Sequence, residues 1–450
     1  MGKFLAGMAV LVGLAMLLLV GWDGAVALAV AALLSWLALF LIRKYTDEKD
    51  FLTKVFVAAL LARLVLGLVV HVFDLREFFG GDANTYHLYG GRLADYWMGQ
   101  TNLMNDARFR LSISPQFPGW GMTYLVGTLY FIFGKNIYLA QTFCAVFGAA
   151  TAGLVYFCSR EIFENKRVSK ISALLVALFP AFIIWSGQLL KDGLIVFLLV
   201  LSMTMVLELQ KRFNYAAVMV LLTSMFGIIT LRFYIFYMVA AAVAGSLLVG
   251  TSNTTGGILR RTIAVAVIGL GLTYFGVGRI AQMNVEQFGD LDRVQASRGD
   301  LERSAGSGFG ADVDVSTTEG AISAVPIGLT YLMLAPFPWQ MQSLRSAFTL
   351  PEVLVWWAML PVMVFGLWYT AKNRLRAAMP IMIFSLMLTL AYSIFQGNVG
   401  TAYRQRTQIQ VFLFIFIAVG WTLLKERREN RKLMMRQRER EFAQRMRARG

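Results

Sequence analysis

Apolar residues run along this chain in long, nearly unbroken blocks, not at the spacing of an amphipathic helix or the alternation of a half-buried strand. Runs of spanning length fall at 4–20, 24–42, 54–73, 118–133, 137–158, 171–187, 193–209, 214–231, 233–250, 262–282, 321–338, 352–371, 378–395 and 407–424, fourteen in all. A helix of about 20 apolar residues crosses a bilayer, so the pattern predicts an all-α, polytopic transmembrane helical bundle. Pro and Trp punctuate two of the segments, in Phe117-Pro118-Gly119-Trp120 and Pro336-Phe337-Pro338-Trp339, as suits helices broken or anchored at a headgroup boundary.

Charge decides which runs cross. If all fourteen did, Arg160, Lys166, Arg167 and Lys170 would lie outside together with Arg260 and Arg261, against the positive-inside tendency. Suppose instead that 118–133 and 321–338 are re-entrant or interfacial, as irregular segments can be where protein or a cavity covers them. Every short basic loop then falls on one side: Arg43 and Lys44, Arg160 to Lys170, Lys211 and Arg212, Arg260 and Arg261, Lys372, Arg374 and Arg376. The expected topology is about 12 spans plus two re-entrant or interfacial helices, with both termini cytoplasmic in a bacterial inner (cell) membrane. Residues 1–424 make the transmembrane module with outer loops 74–116 and 282–320, and 425–450 a basic cytoplasmic tail.

Composition closes off the soluble classes. Of 450 residues, 58% are hydrophobic and 15% charged, where a soluble domain has about a quarter charged. The net charge is +16, of which the tail supplies +7, from 11 basic and 4 acidic residues. Directly after a hydrophobic span this points to anionic membrane lipid and not to nucleic acid. The first run follows Lys3 like a signal peptide, but a second begins at Gly24, so both are expected to be retained spans. Cys144 and Cys158 are 14 residues apart on one predicted helix, about 21 Å, too far to bridge.

With the basic loops on one side, the polar residues that remain gather on the other. The first outer loop carries Gly80-Gly81-Asp82, then Tyr86, His87 and Tyr89. Asp82 either caps the helix that starts there or faces a ring-lined polar cleft. A Pro, a Trp and the adjacent pair Lys191 and Asp192 break the stretch 180–193; charges at such a boundary mark a site or pair with each other. Arg404 and Arg406, with Tyr403 and Gly400, stand at the outer entry to the last span, where guanidinium suits a phosphate and snorkelling is the plainer use. Arg232 lies at the same boundary and can join them or pair with a carboxylate.

The loop 285–320 mixes acidic and basic residues with Gly and Ser, as an acceptor-gating loop or a linker does. Its Asp312 and Asp314 mimic a short metal motif with no further ligand at helpful spacing. No cofactor motif appears, and no metal is expected. The pattern offers no mid-span charge for a pump or carrier, and no internal repeat for an inverted-repeat transporter.

The order of these features resembles the GT-C superfamily of polyprenyl-phosphate-sugar glycosyltransferases, which includes bacterial relatives of the protein mannosyltransferases. It rests on Gly81-Asp82 followed by Tyr86, Phe131-Ile-Phe-Gly134, Tyr156-Phe-Cys-Ser-Arg160, and Leu178-Phe-Pro180 before Ser186 and Asp192, over roughly residues 70–210. The resemblance implies a GT-C-like fold, Asp82 as catalytic base, and Asp192 at a substrate or supporting position. It further implies a polyprenyl-phosphate-linked sugar donor whose phosphate lies near Arg404, Arg406 and Lys191, and a glycan, lipid or protein acceptor arriving from outside; Tyr86 and His87 of the ring-lined cleft are expected among the substrate-binding residues. Asn84 stands where some members carry the second acid of an acidic pair. An O-antigen polymerase or ligase would lean on the arginines and leave Asp82 dispensable, and a transporter would carry no chemistry.

Overall fold

A computed structural model describes residues 2–249, 266–274, 277–280, 282, 290–303, 308–310, 313–340 and 347–447. Arg260, Arg261, Asp312 and part of the 262–282 segment and of the 282–320 loop lie outside the described residues. The chain forms α1 (Gly2–Val20), α2 (Trp22–Tyr45), α3 (Lys49–Val72), α4 (Arg76–Phe79), α5 (Asp82–Trp97), α6 (Ala107–Ser112), α7 (Trp120–Phe133), α8 (Ile137–Phe163), α9 (Lys166–Leu178), α10 (Pro180–Ser186), α11 (Lys191–Lys211), α12 (Tyr215–Leu231) and α13 (Phe233–Val249). There follow α14 (Leu291–Arg303), α15 (Thr318–Leu334), α16 (Leu350–Asn373), α17 (Leu375–Phe395) and α18 (Val399–Arg447). Among the described residues the one β feature is an isolated bridge between Gly308 and Asn398.

Eight helices are long and apolar enough to cross a membrane, and nine if α9 and α10, bent by 54° where Pro180 opens α10, count as one span. With the shorter apolar helices α12 and α13, 17 residues each, the described residues form the polytopic helical bundle expected from the sequence. At 1.5 Å per residue the 14 residues of α7 reach only about 21 Å, short of a hydrocarbon core of roughly 30 Å. Length therefore sets α7 apart from the span-length helices; α15, at 17 residues, is as long as α12 and α13. Side chains start several helices: Asn136, Asn165 and Asn214 accept from the backbone N–H groups of Leu139, Arg167 and Ala216, satisfying donors that a first turn leaves open.

Burial ranks the helices. Only 17% of the apolar window of α1 and of α2 is buried, against 83% for α18, so α18 is the central post and α1 and α2 turn most of their surface outward. Ion pairs fix which ends lie together. Glu48 before α3 binds Lys166 and Lys170 of α9 at 3.1 and 2.8 Å, and Lys170, then Lys166, hold its carboxyl below the usual carboxylate range. Lys211 at the end of α11 pairs with Glu161 near the end of α8, and Arg167 of α9 with Glu429 of α18 at 3.2 Å. Described members of the basic loops thus share one end of the bundle. The starts of α5, α11 and α18 and the end of α12 gather at the other.

One expectation is corrected here. Arg63 stands in the middle of α3 at 1% exposure, a mid-span charge in a run that otherwise looks uniformly apolar.

Candidate functional site

Four helix ends meet around two carboxylates. Gly81 is the N-cap of α5 and Asp82 its first residue. No side chain caps that helix, so the carboxylate is spent elsewhere: Arg404 Nη1 donates to Asp82 Oδ2 at 2.8 Å. Arg404 lies in the second turn of α18, and its Nε donates to Asp192 Oδ2 at 2.6 Å. Its Nη2 lies 2.5 Å from that same oxygen, a close ionic contact whose angle falls short of a hydrogen bond. Arg232, at the C-cap of α12, reaches Asp192 Oδ1 at 3.4 Å. One guanidinium thus joins two acids 110 residues apart, and a second arginine backs the inner one.

Aromatic rings and a Pro-Gly turn frame this chain of charges. The Arg404 guanidinium sits 5.5 Å from the Trp185 ring centre, and Trp185 meets Tyr403 edge-on, an arrangement that favours a cation. Ser186, next to Trp185, packs so closely that a Cβ on Gly148 or Gly193 would come within 2.5 Å of its side chain. Gly119 holds φ at 87°, which turns Pro118 into α7, and a Cβ there would come 2.9 Å from Lys191 Nζ. Lys191 therefore lies against that turn, beside the charges of Arg232, Asp192, Arg404 and Asp82.

Tyr86 is one helical turn after Asp82 and shares its face of α5. It is buried, and burial, then the nearby Asp82 charge, pushes its phenol above the ordinary value. His87 projects about 140° round the helix from Asp82 and about 100° from Tyr86, where its Nδ1 is 2.7 Å from Tyr130 Oη; it does not join the cluster. Neither does Arg406. Two residues after Arg404 on α18, it is fully buried, donates to the carbonyls of Met333 and Ala335 at 3.2 and 2.9 Å, and lies against Tyr403 and Trp356.

Two features are additional to the sequence-predicted set. Tyr403 Oη donates to Glu352 Oε2 at 2.7 Å, both buried, which locks the turn of α18 that carries Arg404 to the start of α16. The described stretch 308–310 docks beside that turn: Phe309 N donates to Gly397 O at 2.9 Å, and the Phe309 ring stacks on Tyr331 at 4.1 Å. A lone acid at the head of a span and an aromatic in a Gly-rich loop were the available signals.

The dolichyl-phosphate-mannose-protein mannosyltransferase family profile matches residues 116–248. The match supports a GT-C-like membrane glycosyltransferase. It covers the helices that carry Lys191, Asp192 and Arg232, while Asp82 and Arg404 lie outside it on either side. Comparison with curated proteins finds no match.

Proposed function

We propose that the protein transfers a sugar from a polyprenyl-phosphate donor to a hydroxyl of an extracytoplasmic glycan, lipid or protein, with inversion at the anomeric carbon. One observation carries this reading: Asp82, a half-exposed carboxylate, shares Arg404 with the buried Asp192. An acceptor hydroxyl gives its proton to an Asp82 oxygen as its own oxygen attacks the anomeric carbon. The bond from that carbon to the phosphate oxygen breaks, and polyprenyl phosphate leaves with the electron pair. The phosphate is already a competent leaving group, so cations that meet its growing charge matter more than a general acid. Arg404 is aimed for this, with Lys191 and Arg232 close behind. Attack and departure on opposite faces of the sugar ring give inversion. The gathering of basic helix ends at the opposite end of the bundle supports an extracytoplasmic site.

The polymerase or ligase reading leans on Arg404, Arg406 and the 285–320 loop, and it is less favoured because Arg406 donates to the Met333 and Ala335 carbonyls away from Asp82 and Asp192. Membranes containing the protein, given polyprenyl-phosphate mannose and a panel of other polyprenyl-phosphate sugars, should release sugar to an acceptor or to water. Asp82→Asn should abolish that release; normal turnover by this variant would sink the assignment.

A further inference from the structure

Exposure is graded along the ion-pair chain. The Asp192 side chain is 0% exposed, Arg404 16% and Asp82 48%. Asp192 is held by two arginines and lies inside the bundle, so it anchors Arg404 permanently. Among the described residues Asp82 takes one side-chain hydrogen bond, from Nη1 of Arg404. The Arg404–Asp82 pair is partly exposed, on the Asp82 side, and breaking it costs less than stripping a fully buried carboxylate such as Asp192 of its partners. The two ends of the chain therefore differ: one is fixed and the other is replaceable.

We propose that Arg404 exchanges anions: a phosphate headgroup displaces Asp82 from Nη1, while Asp192 keeps the arginine in place. This rests on reading Asp82 as the base, and it adds an order of events. While Asp82 accepts from Arg404, its Oδ2 is occupied by the guanidinium and is not open to an acceptor hydroxyl. A seated phosphate offers the guanidinium a bidentate partner of higher charge and releases Asp82 beside the donor. The base becomes available when a donor is present, so the donor binds before a productive acceptor. The freed carboxylate stays at the head of α5, next to buried Tyr86, and needs only a side-chain rotation.

The probe is a polyprenyl phosphate titrated into the full-length protein in lipid nanodiscs by calorimetry, with inorganic phosphate and the matching polyprenyl alcohol as parallel arms. Removing the competing anion should strengthen binding: Asp82→Asn and Asp82→Ala should bind polyprenyl phosphate about two- to fivefold more tightly than the parent, from the usual worth of an exposed pair. Asp192→Asn should do the opposite and weaken binding. Tightening for inorganic phosphate as well supports exchange with phosphate itself as the recognised group; tightening for the lipid phosphate alone supports exchange that also needs the chain. Equal or weaker binding by both Asp82 variants overturns the proposal, as does equal tightening for the alcohol. The two readings fail separately. Asp82→Asn that binds more tightly yet still transfers sugar removes the base and keeps the exchange, and one that loses transfer without tighter binding does the reverse.

Discussion

Arg63 donates its Nε to Ser186 Oγ at 2.7 Å across 123 residues of sequence. Its Nη1 donates to the carbonyls of Ala59 and Ala177 at 2.8 and 3.0 Å. Ala177 lies in the last turn of α9, where carbonyls lack a helical donor ahead of them, and Ser186 ends α10. One side chain thus ties both sides of the 54° bend to α3. Beyond the bend come Trp185, against Arg404, and the Lys191-Asp192 step that opens α11.

Burying a cation with no carboxylate bonded to it among the described residues costs several kcal/mol. Arg63→Met should therefore change the melting temperature little, because the lost hydrogen bonds and the relieved charge oppose each other. Polyprenyl-phosphate-sugar turnover should still fall roughly ten- to a hundredfold, the scale set by small misplacements in a site. Arg63→Lys, which keeps a donor, should recover part of it. Early melting with normal turnover per folded molecule would make Arg63 a stability residue only.

How much of this was legible in the sequence depends on what each residue must satisfy. The helices and the sorting of basic loops follow from the bilayer, which fixes run length and charge side. Asp82, Asp192 and Arg404 stood out because few charges remain on the outer face and each needs a partner. Arg406 was harder. It is 200° round the helix from Arg404, so only one of the two can face the cleft, and the stretch 400–410 is polar nearly all round, leaving no single polar stripe to say which. The same geometry separates His87 from the Asp82 and Tyr86 face. Arg63 resembles a lone interruption in an apolar run because its partners are backbone carbonyls and a serine, which leave no complementary charge in the sequence.

His87 offers a pH test. Burial, then the positive charges of Arg76 and Lys135, push its imidazole below the ordinary value, so the folded protein keeps it neutral. A group with a depressed folded pKa contributes stability that is fully present above its unfolded value, about 6.5, and is lost as pH falls through the folded value. Melting temperature should drop as pH is lowered from about 7 to about 5, and His87→Gln should lose less over that interval. Parallel curves for the two proteins would remove His87 as the cause.

The proposed sidedness of the site rests on the gathering of the basic helix ends, and it can be measured directly. Native Cys144 and Cys158 are buried, so an impermeant maleimide should meet little background. Gln100, in the first outer loop, and Asn430, on the projecting part of α18, are both exposed. In intact cells stripped of their wall, Gln100→Cys should label at once and Asn430→Cys only after permeabilisation. Labelling of Asn430→Cys first would turn the molecule over. Asp82 and Arg404 would then face the cytoplasm, and an acceptor outside the cell could not reach the carboxylate that is to deprotonate it.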